Sequence, residues 1–376
     1  MGKLNIEMKG KRKTILIISA FPPNNQTAGQ SNTNSVISDL IAEGYAIDLI
    51  TFSFKDHIIE EPARFGYNRT IGNQRPQKYF YSLLLLFLFP VYTHKFSFRI
   101  VFFLLKNQHK YDVIYLDYSQ VFIYSRFIRE KDKVILMVHD LMFQRFSRKF
   151  KKAWYKKIVM RYIFFSESYF FKKASQVIVP SFKDKTIAKN LYGIEATAIL
   201  PKNRFIISEN GNSSVNLKQF VFLGAWNRNE NLDGLKWFAQ KVVPLLDREL
   251  EFIIIGKDLP SSLKSLLPDT FKAIGFVDDF TMHLQTSSAL ISPLFLGAGI
   301  KFKVLDALSN GCRVIGTDIS FEGITVHSKN IFYSANTAHQ FADAIHYCSK
   351  NEFDQQLVKQ EFKNYISNYK TLVEII

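Results

Sequence analysis

Short apolar runs rich in β-branched residues recur along the first half of the chain, and each precedes a segment long enough for a helix. A run of this kind, without alternating polar residues, is typical of a strand covered on both faces. Strands that alternate with helices pair in parallel. The pattern therefore predicts an α/β unit with a parallel sheet. Its predicted strands are Thr14–Ser19, Ala46–Phe52, Asp112–Asp117, Lys133–His139 and Gln176–Pro180, with a helix over Ser31–Glu43.

The alternation begins again after residues 206–218, a Gly-, Asn- and Ser-rich stretch with the composition of a linker. At 376 residues the chain exceeds the size at which one core usually stops growing. We therefore expect two doubly wound, Rossmann-like α/β domains that face a cleft. Their expected limits are 1–205 and 219–350, followed by helices over 351–376 that pack back towards the first domain.

One glycine-rich segment late in the chain carries the most specific chemical signal. A predicted strand ends in Gly297-Ala298-Gly299, and a helix is predicted to begin near Ile300. Glycines let the backbone approach a ligand closely, and the first N–H groups of a helix attract an anion. Lys301 and Lys303 add positive charge, while Asp306 can accept hydrogen bonds from neighbouring hydroxyls. A diphosphate flanked by a ribose fits this pattern.

Each feature of this segment has a plain alternative when it stands alone. A Gly-x-Gly loop without a third glycine is also an ordinary tight turn. Asp306 alone would be a solvated helix residue. The complete string over Ser292–Gly323 favours the anion site over both alternatives.

The second half of the sequence resembles the GT-4-like glycosyltransferases, the group 1 family of retaining enzymes with the GT-B fold. The motifs that carry the resemblance are Leu223-Gly224, Asn231, Trp237-Phe238, Pro244, Ile255-Gly256, Gly275-Phe276-Val277-Asp278, Pro293-Leu294, Gly297-Ala298-Gly299-Ile300-Lys301, Lys303-Val304-Leu305-Asp306-Ala307, Gly311 and Glu322-Gly323. The resemblance implies transfer of a sugar from a nucleotide-diphosphate donor to an acceptor hydroxyl, in the assembly of a surface polysaccharide or glycoconjugate. It also implies that residues 1–205 form the acceptor-side domain and residues 219–350 the nucleotide-sugar-binding domain.

The resemblance also implies roles for individual residues of the donor site. Gly275–Val277 is similar to the loop on which the nucleobase rests. Gly297–Ile300, with Lys303, is similar to the cradle of the diphosphate. Asp306 is similar to the acidic residue that binds the ribose, and the loop at Glu322 is similar to the one that closes over the donor.

Three departures from the family pattern affect the phosphate site. Ala298 replaces the first glutamate of the family's pair, and the second is shortened to Asp306. Ala225 and Glu230 stand where the family has basic residues after the first glycine of this domain. The phosphate therefore needs other cations, and the sequence offers Arg228, Lys301 and Lys303.

Two features of the first domain resemble the family more weakly. The loop Phe21–Gly29 follows the first predicted strand and is similar to the glycine-rich loop under the diphosphate. His139 ends another predicted strand at the edge of the sheet, where the family often has a histidine near the donor sugar. A histidine that only caps a loop is the alternative for this position.

The mechanism implied by the resemblance has no covalent nucleophile, and the two-carboxylate arrangement of hydrolases cannot be located in the sequence. Helix N–H groups and Lys303 would stabilise the departing diphosphate, with His139 as the second catalytic residue. The sequence has no Asp-x-Asp triplet, so we expect no metal and no cofactor. One alternative is an inactive GT-B-fold scaffold protein, which Ala298 and Asp306 favour. A nicotinamide-dependent Rossmann enzyme is disfavoured because glycines are missing after Ser19.

The formal charge of +16, from 49 basic and 33 acidic residues, predicts attraction to anionic ligands or surfaces. No nucleic-acid-binding motif accompanies this charge, so we expect a nucleotide sugar and an anionic membrane surface as partners, with no nucleic acid. The expected acceptor is a glycan, a lipid-linked saccharide or a protein. In the basic segment Arg145–Lys157, helical spacing would place Phe146, Phe150 and Trp154 on one interfacial face. Packing of these rings on the core is the alternative.

The chain contains two isolated cysteines and no readable signal peptide, which favours a cytoplasmic protein. The apolar runs Tyr81–Tyr92 and Phe98–Leu105 are short and are separated by charged residues. They predict buried helices or an in-plane membrane contact rather than a span. We therefore expect a cytoplasmic location, peripheral on the inner face of the membrane.

Overall fold

The computed structural model describes residues 12–25, 27–53, 62–71, 87–150, 154–205, 207 and 214–376. The chain forms two compact units. The first contains the residues up to His139 together with Arg161–Ile178 and Leu372–Ile376, and the second contains Asp140–Met160 and Val179–Thr371. Because most of the predicted linker lies outside the described residues, the domain limits at residues 205 and 218 stay a prediction.

The first sheet has seven strands in the order β3-β2-β1-β4-β5-β6-β7. Its register pairs Ser19 of β1 with Thr51 of β2 and with Asp117 of β4, all in parallel. The carboxyl ends of these strands therefore meet at one edge, which is where α/β sheets bind ligands. The strands are β1 Thr14–Ser19, β2 Ala46–Phe52, β3 Tyr67–Ile71, β4 Val113–Asp117, β5 Val134–Met137, β6 Gln176–Val179 and β7 Thr197–Ala198.

The second sheet has six strands in the order β10-β9-β8-β11-β12-β13 and is also parallel. Its core is rich in aromatic rings; Phe238 meets Phe222 and Phe252 edge to face at centroid distances of 5.0 and 5.3 Å. Gly256 follows β9 with φ +130°, and a Cβ there would lie 1.7 Å from the carbonyl oxygen of Gly224. Only glycine therefore permits this approach of two strand ends. The strands are β8 Asn216–Leu223, β9 Glu251–Ile255, β10 Phe271–Gly275, β11 Ser287–Ser292, β12 Arg313–Gly316 and β13 Phe332–Ser334.

Side-chain caps define the starts of several helices. The Thr27 side chain accepts a hydrogen bond from the backbone N–H of Gln30 at the start of α1, and Thr337 forms a capping box with Gln340 at the start of α10. The helices are α1 Ala28–Ala42, α2 Phe98–Asn107, α3 Met142–Lys149, α4 Lys156–Phe171, α5 Phe182–Tyr192, α6 Asn229–Lys241, α7 Ser261–Lys264, α8 Thr281–Thr286, α9 Phe302–Ser309, α10 Ala338–Cys348 and α11 Gln355–Ser367.

The two parallel α/β sheets confirm the predicted fold class, and every predicted strand is present. The apolar patterns do not predict β3, β7 and β10. β7 has only two residues, and both β3 and β10 lie at sheet edges with mostly exposed or half-buried side chains. An edge strand is not covered on both faces, so it lacks the continuous apolar run that marks the central strands.

The single interfacial helix predicted over Arg145–Lys157 is wrong. α3 ends at Lys149 with Phe150 as its C-cap, and α4 begins at Lys156. Residues 151–153 lie outside the described part of the chain, as do residues 81–86 of the first apolar run. Within the described residues, no helix has the length and apolar character needed to cross a membrane.

Candidate functional site

The candidate donor site in the second unit is built around the loop between β11 and α9. Gly297 and Gly299 have φ angles of +135° and +69°, in the region that favours glycine. Ile300 is buried and anchors the loop. The helix begins at Phe302, later than the sequence pattern predicts, with Lys301 as its N-cap. The Lys301 side chain makes no capping hydrogen bond to the first turn, so the positive end of the helix is suited to an anion.

Lys301 and Lys303 direct their ammonium groups to different partners. Lys301 Nζ donates to the carbonyl oxygen of Gly299 at 2.7 Å, whereas Lys303 Nζ donates to Oδ1 of Asn231 at 3.0 Å. Burial lowers the pKa of Lys301, and it lowers the pKa of Lys303 to about 7, with the charges of Lys301 and Arg228 acting in the same direction. Arg228 is exposed at the N-cap of α6. These three predicted cations therefore lie close to one another.

Glu322 is held by two basic residues that carry no signal of this role in the sequence. Arg148 of α3 binds both carboxylate oxygens, one N–O distance being 2.7 Å, and also donates to the carbonyl oxygen of Gly297 at 2.5 Å. Lys183 of α5 lies 2.5 Å from the same carboxylate. Burial raises the pKa of Glu322, but the hydrogen bonds outweigh it and hold that pKa below its usual value. The network connects the predicted closing loop to the glycine loop.

Asp306 is buried, and its carboxylate is already paired. Both oxygens accept from Nη2 of Arg204, at 3.1 and 2.9 Å. The Arg204 side chain is itself only 9% exposed, and its guanidinium lies 4.8 Å from the centroid of the Phe302 ring. Burial raises the pKa of Asp306, and the charge of Arg204 opposes that shift. A ribose bound at this carboxylate would therefore share it with Arg204.

The predicted nucleobase loop, Gly275–Val277, adjoins a cavity of about 350 Å³ at the end of β9 and β10. Gly275 and Phe276 line this cavity, and Gly275 has φ +80°. Phe276 is 43% exposed, and Lys257 Nζ lies 4.2 Å from its ring centroid. An exposed aromatic ring beside an open cavity is suited to contact with a flat, apolar ligand group.

In the first unit, His139 lies beside a buried carboxylate at the end of the sheet. His139 Nε2 is 2.8 Å from Oδ1 of Asp117, and its ring stacks on Tyr118 with centroids 3.9 Å apart. Gly29 lies in the first turn of α1 rather than in a loop. A Cβ on Gly29 would lie 2.6 Å from the hydroxyl of Tyr118. Tyr118 therefore connects the two predicted residues of this unit.

The residues that the sequence patterns miss have partners far away along the chain. Arg148 is 174 positions from Glu322, and Arg204 is 102 positions from Asp306. Motif spacing reveals only neighbours in sequence, so neither pair leaves a pattern. The sequence does contain an indication that Asp117 belongs to a site. It is a carboxylate at the carboxyl end of a buried strand, where α/β sheets bind ligands.

Two family models match the chain, one in each half. Residues 218–351 match the model described as glycosyl transferases group 1, and residues 33–201 match the Glycosyltransferase Family 4 model. The chain belongs to the GT-4-like glycosyltransferases. The matched parts of this glycosyltransferase include all the predicted donor-site residues of the second domain, from Arg228 to Glu322, and also His139. Gly29 precedes the matched residues.

Solved structures share the fold of this glycosyltransferase at low sequence identity. Sucrose-phosphate synthase from Thermosynechococcus elongatus has a TM-score of 0.65 and 14% identity, over 95% of this chain and 94% of its own. HepE of Anabaena, in complex with UDP, has a TM-score of 0.62 and 12% identity, over 96% of each chain. WaaG, a glycosyltransferase involved in lipopolysaccharide biosynthesis, has a TM-score of 0.57 and 12% identity, over 94% of each chain. At such identities the likeness shows the GT-B fold alone.

A curated relative is an uncharacterised protein from the cps region of Klebsiella pneumoniae. It is 30% identical to the glycosyltransferase over 147 residues, which are 35% of this chain. The match spans only 37% of the relative's own length. The relative has no stated activity, so substrates and partners are argued from the site.

Proposed function

We propose that this glycosyltransferase transfers a sugar from a nucleotide-diphosphate donor to an acceptor hydroxyl, with retention of configuration, in the assembly of a surface polysaccharide or glycoconjugate. The observation that carries the proposal is the glycine loop before α9, whose open helix start lies beside Lys301 and Lys303. A helix start next to several cations is a binding site for phosphate groups. HepE is a fold neighbour solved with UDP, and WaaG acts in lipopolysaccharide biosynthesis, which supports the donor class and the process.

Each part of the donor has a proposed place in the second unit. The diphosphate lies against Gly297–Ile300 and Lys303, with Arg228 near it. The ribose binds Asp306, and the nucleobase packs on Gly275–Val277. Glu322 holds Arg148 and Lys183 near the glycine loop, so these two cations add to the positive field that the missing family residues would have supplied.

In the proposed mechanism, protein charges stabilise the departing diphosphate. Helix N–H groups and Lys303 are fixed before the reaction and act on the charge that grows as the sugar leaves. His139, a residue of the first unit, is the second proposed catalytic residue. Within the described residues, no group of three or more His, Cys, Asp or Glu side chains is placed to hold a metal ion.

A panel of nucleotide sugars tests the donor class. UDP-glucose and its analogues are each added to the protein, and the true donor at about 100 times its Kd is expected to stabilise the fold by about 2.7 kcal/mol. The measurement is the rise in Tm, with glucose alone and UMP as controls. Release of the nucleoside diphosphate and an unchanged anomeric configuration in the product, measured by NMR, then establish transfer with retention. If none of these nucleotide sugars raises Tm, the donor site is wrong.

The alternative function, an inactive scaffold with the GT-B fold, is favoured by Ala298 and by the pairing of Asp306 with Arg204. The same panel separates the two functions. A nucleotide sugar that raises Tm but releases no nucleoside diphosphate, with or without a membrane extract that contains acceptors, would identify a scaffold.

The proposed membrane partner is supported by an apolar face in the first unit. On α2, the residues Phe98, Phe102 and Leu105 are 49%, 68% and 47% exposed and follow one another at helical spacing. The opposite face buries Ile100, Val101 and Leu104 in the core. Exposed basic residues flank the apolar face, namely Arg99, Lys106 and Lys110. An apolar face flanked by cations is typical of a helix that lies in an anionic membrane interface.

We predict that the protein sediments with vesicles that contain phosphatidylglycerol and not with neutral vesicles. Attraction to the anionic surface contributes about 1 kcal/mol per basic residue and is screened by salt, so binding is expected to fall at high ionic strength. Phe102→Ser with Leu105→Ser should abolish binding. Leu266→Ser is the matched control, because Leu266 is 77% exposed in the second unit. Wild-type protein that stays in the supernatant even at low salt would remove the membrane as a partner.

A further inference from the structure

A hydrogen-bond network fixes Asp117 at the end of β4. The residue is 1% exposed, and its Oδ2 accepts from the hydroxyls of Ser19 and Thr33 at 2.9 and 2.7 Å. Its Oδ1 lies 2.8 Å from Nε2 of His139. These contacts bring together the ends of β1, β4 and β5 and the first turns of α1, so the carboxylate has a defined position and orientation.

The network decides which nitrogen of His139 carries a proton. An ionised carboxylate can only accept hydrogen bonds, so the Nε2 that faces Oδ1 must be the donor. In a neutral imidazole the other nitrogen, Nδ1, then has the lone pair. The second ring nitrogen of His139 is therefore an acceptor, and the group that can bind it directly is a hydroxyl rather than an unprotonated phosphate oxygen.

Tyr118 fixes the plane of the same ring. It stacks on His139 with an interplanar angle of 16°, and its edge-to-face contact with Phe21 holds it from the other side. Its backbone has φ +75°, which is costly for a residue with a side chain. Such backbone strain persists where the surrounding structure requires it, and here it places an aromatic ring against the imidazole.

The geometry points to Asp117 as a positioning residue for His139. It holds the imidazole in the tautomer with the proton on Nε2, so that Nδ1 accepts a hydrogen bond from a hydroxyl of the sugar or of the acceptor. This role rests on the proposed function for its effect on turnover. The tautomer itself is a property of the protein without any substrate.

The tautomer is tested by ¹⁵N NMR of the imidazole nitrogens in the full chain, with His139→Gln to assign the signal. In its neutral form, the His139 imidazole of the wild-type protein should carry the proton on Nε2. In Asp117→Asn, the new amide can donate to Nε2, and the proton should move to Nδ1. Asp112→Asn is the matched control; this residue precedes the same strand at its other end and accepts from the backbone N–H of Thr14. A wild-type spectrum with the proton on Nδ1 overturns the proposal, even if Asp117→Asn does not fold.

The kinetic test uses UDP-glucose, or whichever nucleotide sugar of the panel is turned over. Asp117→Asn is expected to lower kcat about 100-fold, with the KM for the donor changed less than about threefold, since orientation of a catalytic group acts in the reaction step. Asp112→Asn should leave both constants unchanged. Equal kcat values for Asp117→Asn and Asp112→Asn would overturn the positioning role. Failure of every nucleotide sugar to react would instead refute the proposed function, while the NMR result would still decide the tautomer.

Discussion

Asp306→Ala is expected to destabilise the protein by about 3 kcal/mol or more, because it leaves the guanidinium of Arg204 buried without its carboxylate. Asp306→Ala is therefore expected to affect stability as well as donor binding. The measurement is the free energy of unfolding in urea. The double variant Arg204→Met with Asp306→Leu should restore most of the loss, since a buried ion pair can be replaced by apolar residues of similar volume.

The double variant also separates stability from donor binding. It is expected to fold but to bind the nucleotide more weakly by roughly 1.5 to 3 kcal/mol, the cost of removing a charged acceptor from a pair of hydroxyls. Arg204→Met alone leaves Asp306 buried without the opposing charge, so it should lose stability as Asp306→Ala does and shows that the loss comes from breaking the ion pair. If Asp306→Ala has the same free energy of unfolding as the wild-type protein, the ion pair between Asp306 and Arg204 does not form in solution. Undiminished affinity in the double variant would remove Asp306 from the donor site.

Lys303→Ala is expected to lower kcat about 10²-fold while changing nucleotide affinity much less. The negative charge on the diphosphate grows as it leaves the sugar, and Lys303 stabilises that charge. Removing one fixed hydrogen-bond donor to such a charge typically lowers kcat by about this factor. Lys301→Ala is the matched control, with a smaller effect, because Lys301 donates to carbonyl groups of its own loop. Steady-state kinetics and calorimetric titration of UDP provide the two quantities. Equal losses of kcat in both variants would contradict the assignment.

The pH dependence of nucleotide binding provides a further check on Lys303. Because the pKa of Lys303 is about 7 in the unliganded protein, the amine loses its proton as the pH rises through that value. A bound diphosphate favours the charged amine and raises this pKa again. Binding should therefore take up part of a proton at and just above pH 7, and affinity should fall only slightly as the pH increases, in keeping with the small effect on affinity expected of Lys303→Ala. Titrations in buffers of different ionisation enthalpy measure the uptake, which Lys303→Ala should abolish.

The central strands of both sheets could be predicted from the sequence, because a strand covered on both faces needs a continuous apolar run. β1 and β2 have the predicted limits. α9 begins later than predicted, since the chain at Lys301 is still extended, with φ −98° and ψ 96°. Helical spacing would point Lys301 and Lys303 about 200° apart. Lys301 lies before the helix, so this reasoning does not apply to it, although the two side chains do have different partners.

The glycine loop and the residues near it could be predicted because they are close in sequence and follow a family motif. The pairing of Asp306 with Arg204, and of Glu322 with Arg148, could not be predicted in this way. Such contacts depend on how distant elements pack, and many basic residues in the sequence could satisfy each carboxylate equally well. The roles of the predicted donor-site residues stay predictions until the variants are measured.

The division of the chain between the two units has a consequence for synthesis on the ribosome. The first unit includes Leu372–Ile376, and Lys13 Nζ donates to the carbonyl oxygen of Ile376 at 2.8 Å. The whole second unit lies between these partners in the sequence, so the first unit acquires this last segment only after the second has been translated. The nascent chain therefore has an incomplete first unit during much of its synthesis. Because neither unit is one continuous stretch of the sequence, a single proteolytic cut cannot separate a complete unit from the other.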